Sequence, residues 1–224
     1  MQPSKSPWTV KEIVELNGEI HRYYYYKGKA CKRITLDSPL AKQLAGYVLI
    51  EKDLRSAGSW LTDIQRLRGD DALHDQKGSR RSPDRERYDI VKGLFVAALT
   101  FYGKAFAQAE GRKIKLERRQ LEADFHDAHD EAIAFRNNFA AHSGAIGLER
   151  ARVALALPPK GKDIHPNLYT EMDQPDLLMY RSGRSFSELF THAHLIPVRK
   201  INELRQKILD DEVLPRGYAY WQAL

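Results

Sequence analysis

The sequence predicts a mainly α protein: an up-and-down helical bundle with a short N-terminal hairpin and a small β excursion before the last helix. Three observations predict it. Ser38-Pro39 and Ser82-Pro83 each precede a long stretch with apolar residues at helical spacing, and Ser followed by Pro is a favoured helix start. Leu121, Phe125, Ala128, Ala132, Phe135 and Phe139 follow one another at steps of 4, 3, 4, 3 and 4, the spacing of a helix–helix seam. From Glu149 to Leu157 that period gives way to strict alternation. A length of 224 residues suits one good-sized domain, or one domain with an embellishment. The expected division is a β-rich extension over 1–37 and a bundle over 38–224, with a β insertion at about 149–180.

Within the extension, two β-prone stretches flank Lys27-Gly28-Lys29, a short hairpin signal. Tyr23 to Tyr26 alternate between the faces of that strand. Such tyrosines either stack bases or pack one face on a core and leave their phenol rims wet; core packing is the expectation. The first helix starts at Ser38-Pro39 and carries Leu40, Leu44, Tyr47, Val48, Leu54, Leu61, Ile64 and Leu67, with an interruption near Gly58. Gly69 to Ser82 is polar and reads as an exposed loop. The second helix extends from Ser82-Pro83 to about Glu110. Its two adjacent apolar rows, Ile90-Leu94-Ala97-Phe101-Ala105 and Val91-Phe95-Ala98-Tyr102, imply burial by several neighbours. The third helix is expected from about Arg118 to His142, ended by Gly144. Ala151, Val153, Leu155 and Leu157 share one face of the next stretch, which Pro158-Pro159 stops, and a second extended stretch falls at Asn167–Met172. Ser185-Phe186-Ser187-Glu188 fits a capping box for the last helix, expected to kink or restart at Pro197 and to reach about Leu209.

Composition excludes several classes. One cysteine, Cys31, leaves no internal disulfide and no Cys-rich zinc site. The N-terminus lacks a signal-peptide apolar run, and the longest apolar run, Leu94 to Leu99, is far short of a membrane span. A cytoplasmic protein without membrane contact is therefore expected. The net charge of +6 is unevenly placed: Lys77 to Arg119 holds 12 basic and five acidic residues. Such an excess suits either a polyanion-facing surface or solvated helix ends. There is no GxxxxGK[ST] loop, no GxGxxG after a strand, no GxSxG elbow and no HExxH.

The informative segment is residues 125–144, FHDAHDEAIAFRNNFAAHSG, which carries Arg136, Asn137 and His142. Six residues of straight helix turn through about 600°, so Arg136 and His142 point about 120° apart. They converge on one small target only if the helix ends or bends before His142, or if a second copy contributes. On the same helix Glu122, His126, His129 and Asp130 fall near one face and could ligate a transition metal. A solvated polar face is the expectation instead, with no metal and no cofactor. His192 and His194 point about 200° apart on a helix and form no joint site.

RNNFAAHS, with Arg136, Asn137 and His142 at the end of a long helix in an all-α neighbourhood, resembles the signature of the HEPN superfamily. The resemblance implies a homodimer whose facing motif helices bring Arg and His from both chains into one cleft. It implies metal-independent RNA cleavage, in toxin–antitoxin, phage-defence or RNA-processing settings, with an antitoxin or regulatory protein as a further partner. An imidazole that titrates near neutrality suits transfer of the ribose 2′-OH proton or protonation of the 5′-leaving oxygen. A guanidinium suits the scissile phosphate, and Asn137 would bind that phosphate or orient His142. Arg112, Lys113, Lys115, Arg118 and Arg119 are then expected to hold the RNA backbone, with His129 a secondary polar residue beside the cleft. Two alternatives belong to other classes: a HEPN-like module that binds RNA, nucleotide or protein without chemistry, and a metal-dependent bundle enzyme on the His126/His129 face.

Overall fold

The structure, a computed structural model, describes residues 6–68, 85–137, 150–159, 165–173 and 183–224. It is mainly α. Strands β1 (Trp8–Val14), β2 (Ile20–Tyr26) and β3 (Lys29–Cys31) come first. Helices α1 (Pro39–Arg68), α2 (Arg85–Phe106) and α3 (His126–Phe135) follow, then strands β4 (Arg150–Ala156) and β5 (Asn167–Asp173). Helix α4 (Phe186–Ile208) leads through a wide turn at Leu209–Val213 and a tight one at Leu214–Arg216 into a short α5 (Gly217–Ala223). Among the described residues no helix is long and apolar enough to cross a membrane.

The chain divides into two units, 1–42 with 203–224, and 43–202. In the first, β1, β2 and β3 form an antiparallel sheet in that order. The β2–β3 turn has Lys27 at φ 46° and Gly28 at φ 78°, and two successive positive φ angles match the twist of paired strands. The turn at Lys27-Gly28 falls between β2 and β3, and β1 adds a third strand within the β-rich stretch. The core packing expected of the tyrosines is not found. Tyr23 and Tyr26 are exposed, Tyr24 and Tyr25 are half-buried, and no residue of the three strands is buried. Helix α1 starts as its signal requires, with the Ala41 N–H donating to Ser38 Oγ at 3.1 Å. The Ser38 hydroxyl in turn donates to Glu212 (2.6 Å), and Lys32 Nζ donates to the Gln222 carbonyl (2.8 Å), so the C-terminal segment belongs with the N-terminal strands.

The second unit holds the larger core. Ile50, Leu54, Ala57, Leu61 and Ile64 from α1 are buried, as are Val91, Phe95, Ala98, Leu99, Tyr102 and Ala105 from α2. Aromatic contacts tie the helices together: Trp60 to Phe101, Phe95 to Phe135, and Tyr102 stacked on Phe190 at 4.3 Å. No interruption occurs at Gly58, and α4 runs through the buried Pro197 instead of restarting there. The capping box of α4 is present, with the Glu188 N–H on Ser185 Oγ (3.2 Å) and the Ser185 N–H on Glu188 Oε2 (2.9 Å). The Ser82-Pro83 signal lies outside the described residues, and α2 ends four residues earlier than expected.

The third helix needs correction. Its seam is right, since Leu121, Phe125, Ala128, Ala132 and Phe135 are all buried, while Phe139 lies outside the described residues. The helix, however, begins at His126 and not at Arg118. Short turns at Arg118–Gln120 and Ala123–Phe125 precede it, separated by extended backbone at Leu121 and Glu122. Long-range contacts hold this break: the Glu122 N–H donates to His192 Nε2 (3.2 Å), and Arg118 grips Asp130. On one continuous helix, residues 118 and 130 would lie about 18 Å apart. The β excursion is present as the antiparallel β4–β5 pair, but Val153 and Leu155 on it, and Leu157 just past β4, are exposed.

Candidate functional site

Arg136 continues the helical backbone past α3, with φ −57° and ψ −44°. Its side chain is half-buried and lies against Gly103 on α2. A Cβ at position 103 would fall 3.2 Å from Arg136 Cγ and 3.3 Å from Cδ, so glycine leaves the groove in which this stem rests. At its far end Arg136 Nη1 donates to Asn137 Oδ1 at 2.9 Å. The structure thus brings Arg136 and Asn137 together, and among the described residues the guanidinium has no carboxylate partner. His142 lies outside the described residues.

His129 is turned toward the core. It is buried, with Nδ1 2.8 Å from the hydroxyl of fully buried Tyr102 and its ring edge-on to Phe106. Burial is the main cause holding its imidazole below the ordinary value of 6.5; Asp130 opposes the shift, and Arg118 and His126 add to it. The unfolded chain therefore binds more protons here than the folded one, and stability falls as pH drops below about 6.5. Melting between pH 7 and pH 5 should lose less in His129→Gln than in the wild type. Equal losses would contradict a buried neutral imidazole.

The expected RNA-contacting cations separate into different groups. Arg112 is buried and structural: Nε donates to the Ile114 carbonyl (2.9 Å), Nη2 to the Lys104 carbonyl, and Nη1 lies 3.6 Å from Asp53. With the Leu116 N–H on the Ala105 carbonyl (2.8 Å), these contacts satisfy carbonyls at the end of α2 that its own helix cannot. Arg118 spends its guanidinium on both oxygens of Asp130 (2.8 and 2.7 Å) and on His126 Nδ1 (2.8 Å). Lys115 lies 3.5 Å from Glu117. Lys113 and Arg119 are exposed.

The metal alternative finds no support. His129 turns inward and His126 faces Arg118, and among the described residues no group of three or more His, Cys, Asp or Glu could hold a metal ion. His192 and His194 are separate, as expected: His192 stacks on Phe125 at 4.3 Å, and His194 Nε2 is 2.9 Å from Glu51.

Two positions escaped the sequence reading. Asp53 lies three residues after Ile50 and four before Ala57, so it falls on the core stripe of α1, a signal hidden by its neighbour Lys52. Gly103 lies between Leu99 and Phe106 at helical spacing, where a missing side chain on a packed face marks a close approach. Comparison with protein-family models, with curated proteins and with solved structures finds no match.

Proposed function

We propose that this chain is a metal-independent endoribonuclease of the HEPN type, its helices forming an up-and-down bundle that works as a homodimer in the cytoplasm. The observation that supports it is the state of Arg136. Its stem is backed by Gly103, Asn137 orients its guanidinium, and no described carboxylate neutralises it, in contrast to Arg112 and Arg118. A positioned, uncompensated guanidinium is the group that a scissile phosphate requires.

In this mechanism Arg136 holds the phosphate and offsets charge building on its oxygens. Asn137 Oδ1 is occupied by Arg136, which leaves the amide NH2 to donate to a phosphate oxygen. His142 takes the ribose 2′-OH proton as the 2′-oxygen attacks phosphorus, and an imidazolium protonates the departing 5′-oxygen. The products are a 2′,3′-cyclic phosphate and a free 5′-hydroxyl. Lys113 and Arg119 are the exposed cations left to meet the RNA backbone. Toxin–antitoxin or phage-defence settings, with an antitoxin or regulatory protein as partner, belong to the same proposal.

Incubation of the purified chain with a mixed RNA pool, with and without EDTA, tests it. Cleavage that survives EDTA and leaves cyclic phosphate ends is expected. Salt-sensitive retention of RNA without cleavage would instead make the chain a HEPN-like binding module. Gly103→Ala gives a sharper variant. Alanine raises helix propensity by up to about 1 kcal/mol, yet its methyl presses on the Arg136 stem. Stability held or raised with cleavage lowered severalfold is expected; unchanged cleavage would contradict the positioning of Arg136.

A further inference from the structure

We infer that the β1–β3 sheet is a stacking platform for single-stranded RNA. Alternation along the strands and the observed register put Trp8, Val10, Tyr24, Tyr26, Lys29 and Cys31 on one face. Trp8 and Tyr26 are paired across the strands with ring centroids 4.9 Å apart, and both are exposed, at 55% and 40%. Buried aromatic rings would need no further explanation, but this sheet buries none of its residues. Tyr24 and Tyr26 stand about 6.8 Å apart along β2, twice the rise of about 3.4 Å per nucleotide in a stacked strand.

Charge selects the occupant. From Ile20 to Arg33 there is no Asp or Glu, while Arg22, Lys27, Lys29, Lys32 and Arg33 are cationic. Lys27 Nζ lies 5.6 Å from the Tyr26 ring, at the end of the sheet where the rings gather. The nearest acid on the face, Glu12, is held by Arg22 at 2.6 Å. Exposed rings on and beside this cationic segment, Tyr26 within it and Trp8 across the strand pair, suit a chain of bases joined by phosphates, because any base has a π-face and each phosphate carries a charge. A duplex hides its bases and offers such rings nothing to stack on. The inference rests on the preceding functional reading only for its choice of RNA.

A 12-nucleotide 2′-O-methyl RNA of mixed sequence tests it with the full chain, since this probe has no 2′-OH to attack and reports binding whether or not the chain cleaves. Micromolar or tighter binding by anisotropy is expected, with the logarithm of affinity falling linearly with the logarithm of salt concentration. Trp8→Ala combined with Tyr26→Ala should weaken it about tenfold or more. Tyr24→Phe with Tyr26→Phe, which keeps the rings, should bind within about twofold of wild type. In unaltered protein the same RNA should shield the exposed Trp8 indole from iodide quenching, a readout independent of how the variants fold. Wild-type affinity in the double alanine variant, no binding, unaltered iodide quenching, or equal binding of a duplex would overturn the inference.

Discussion

Asp53→Ala should destabilise the protein by about 3–5 kcal/mol, the cost of removing one partner of a buried ion pair. The Asp53 carboxylate is 2% exposed and faces Lys52 at 3.0 Å, Lys104 at 3.4 Å and Arg112 at 3.6 Å. Lys52 and Lys104 are about half exposed and can turn to water, and both lie over the Phe101 ring. Arg112 has no such escape, because its donors are tied to the Ile114 and Lys104 carbonyls. Truncating Asp53 leaves that guanidinium buried without a counter-charge. Asp53 Oδ1 has Lys52 Nζ at 3.0 Å but no well-aligned hydrogen bond among the described residues, so the carboxylate itself is imperfectly satisfied. The double variant Asp53→Ala/Arg112→Met should therefore recover part of the loss, short of wild type because the Ile114 and Lys104 carbonyls lose the Arg112 donors. Urea denaturation measures both. A single-variant loss below about 1 kcal/mol would mean that the pair is open to water.

Arg136→Ala should lower RNA cleavage at least about 100-fold, the scale set by loss of one pre-positioned donor to a charge-bearing oxygen. Arg136→Lys should recover little of it, since an ammonium cannot reproduce a planar fork that meets Asn137 and a phosphate together. The melting temperature should barely move, because Arg136 is half-buried and has no described carboxylate partner to orphan. That pairing of large kinetic and small stability effects is the reverse of the one expected at Asp53. A comparable fall in stability would make Arg136 a packing residue.

What the sequence made legible follows from local physics. Ser38 and the Ser185–Glu188 box mark helix starts because their side chains bond backbone groups a few residues away. The seam from Leu121 to Phe135 is legible because burial follows period, and it survives even where the backbone is not α-helical. The break at Leu121–Glu122 was not legible. It depends on His192, 70 positions away in sequence, and on Arg118 folding back onto Asp130. Charge was the least transparent quantity. Arg112 and Lys113 are adjacent in sequence, yet one is sealed by Asp53 and the other faces water. The Tyr23–Tyr26 run misled in the opposite sense, since periodicity indicates which residues share a face but not whether anything covers it.

The central claim is that the 2′-oxygen of RNA is the nucleophile and that Arg136 and His142 serve its attack. Cleavage by wild-type protein in EDTA, of one RNA and of the same strand carrying 2′-deoxyribose throughout, tests this most directly. The account predicts cutting of the RNA to cyclic phosphate ends and no cutting of the deoxy strand. Equal cutting of both strands, or cutting that EDTA abolishes, would contradict it.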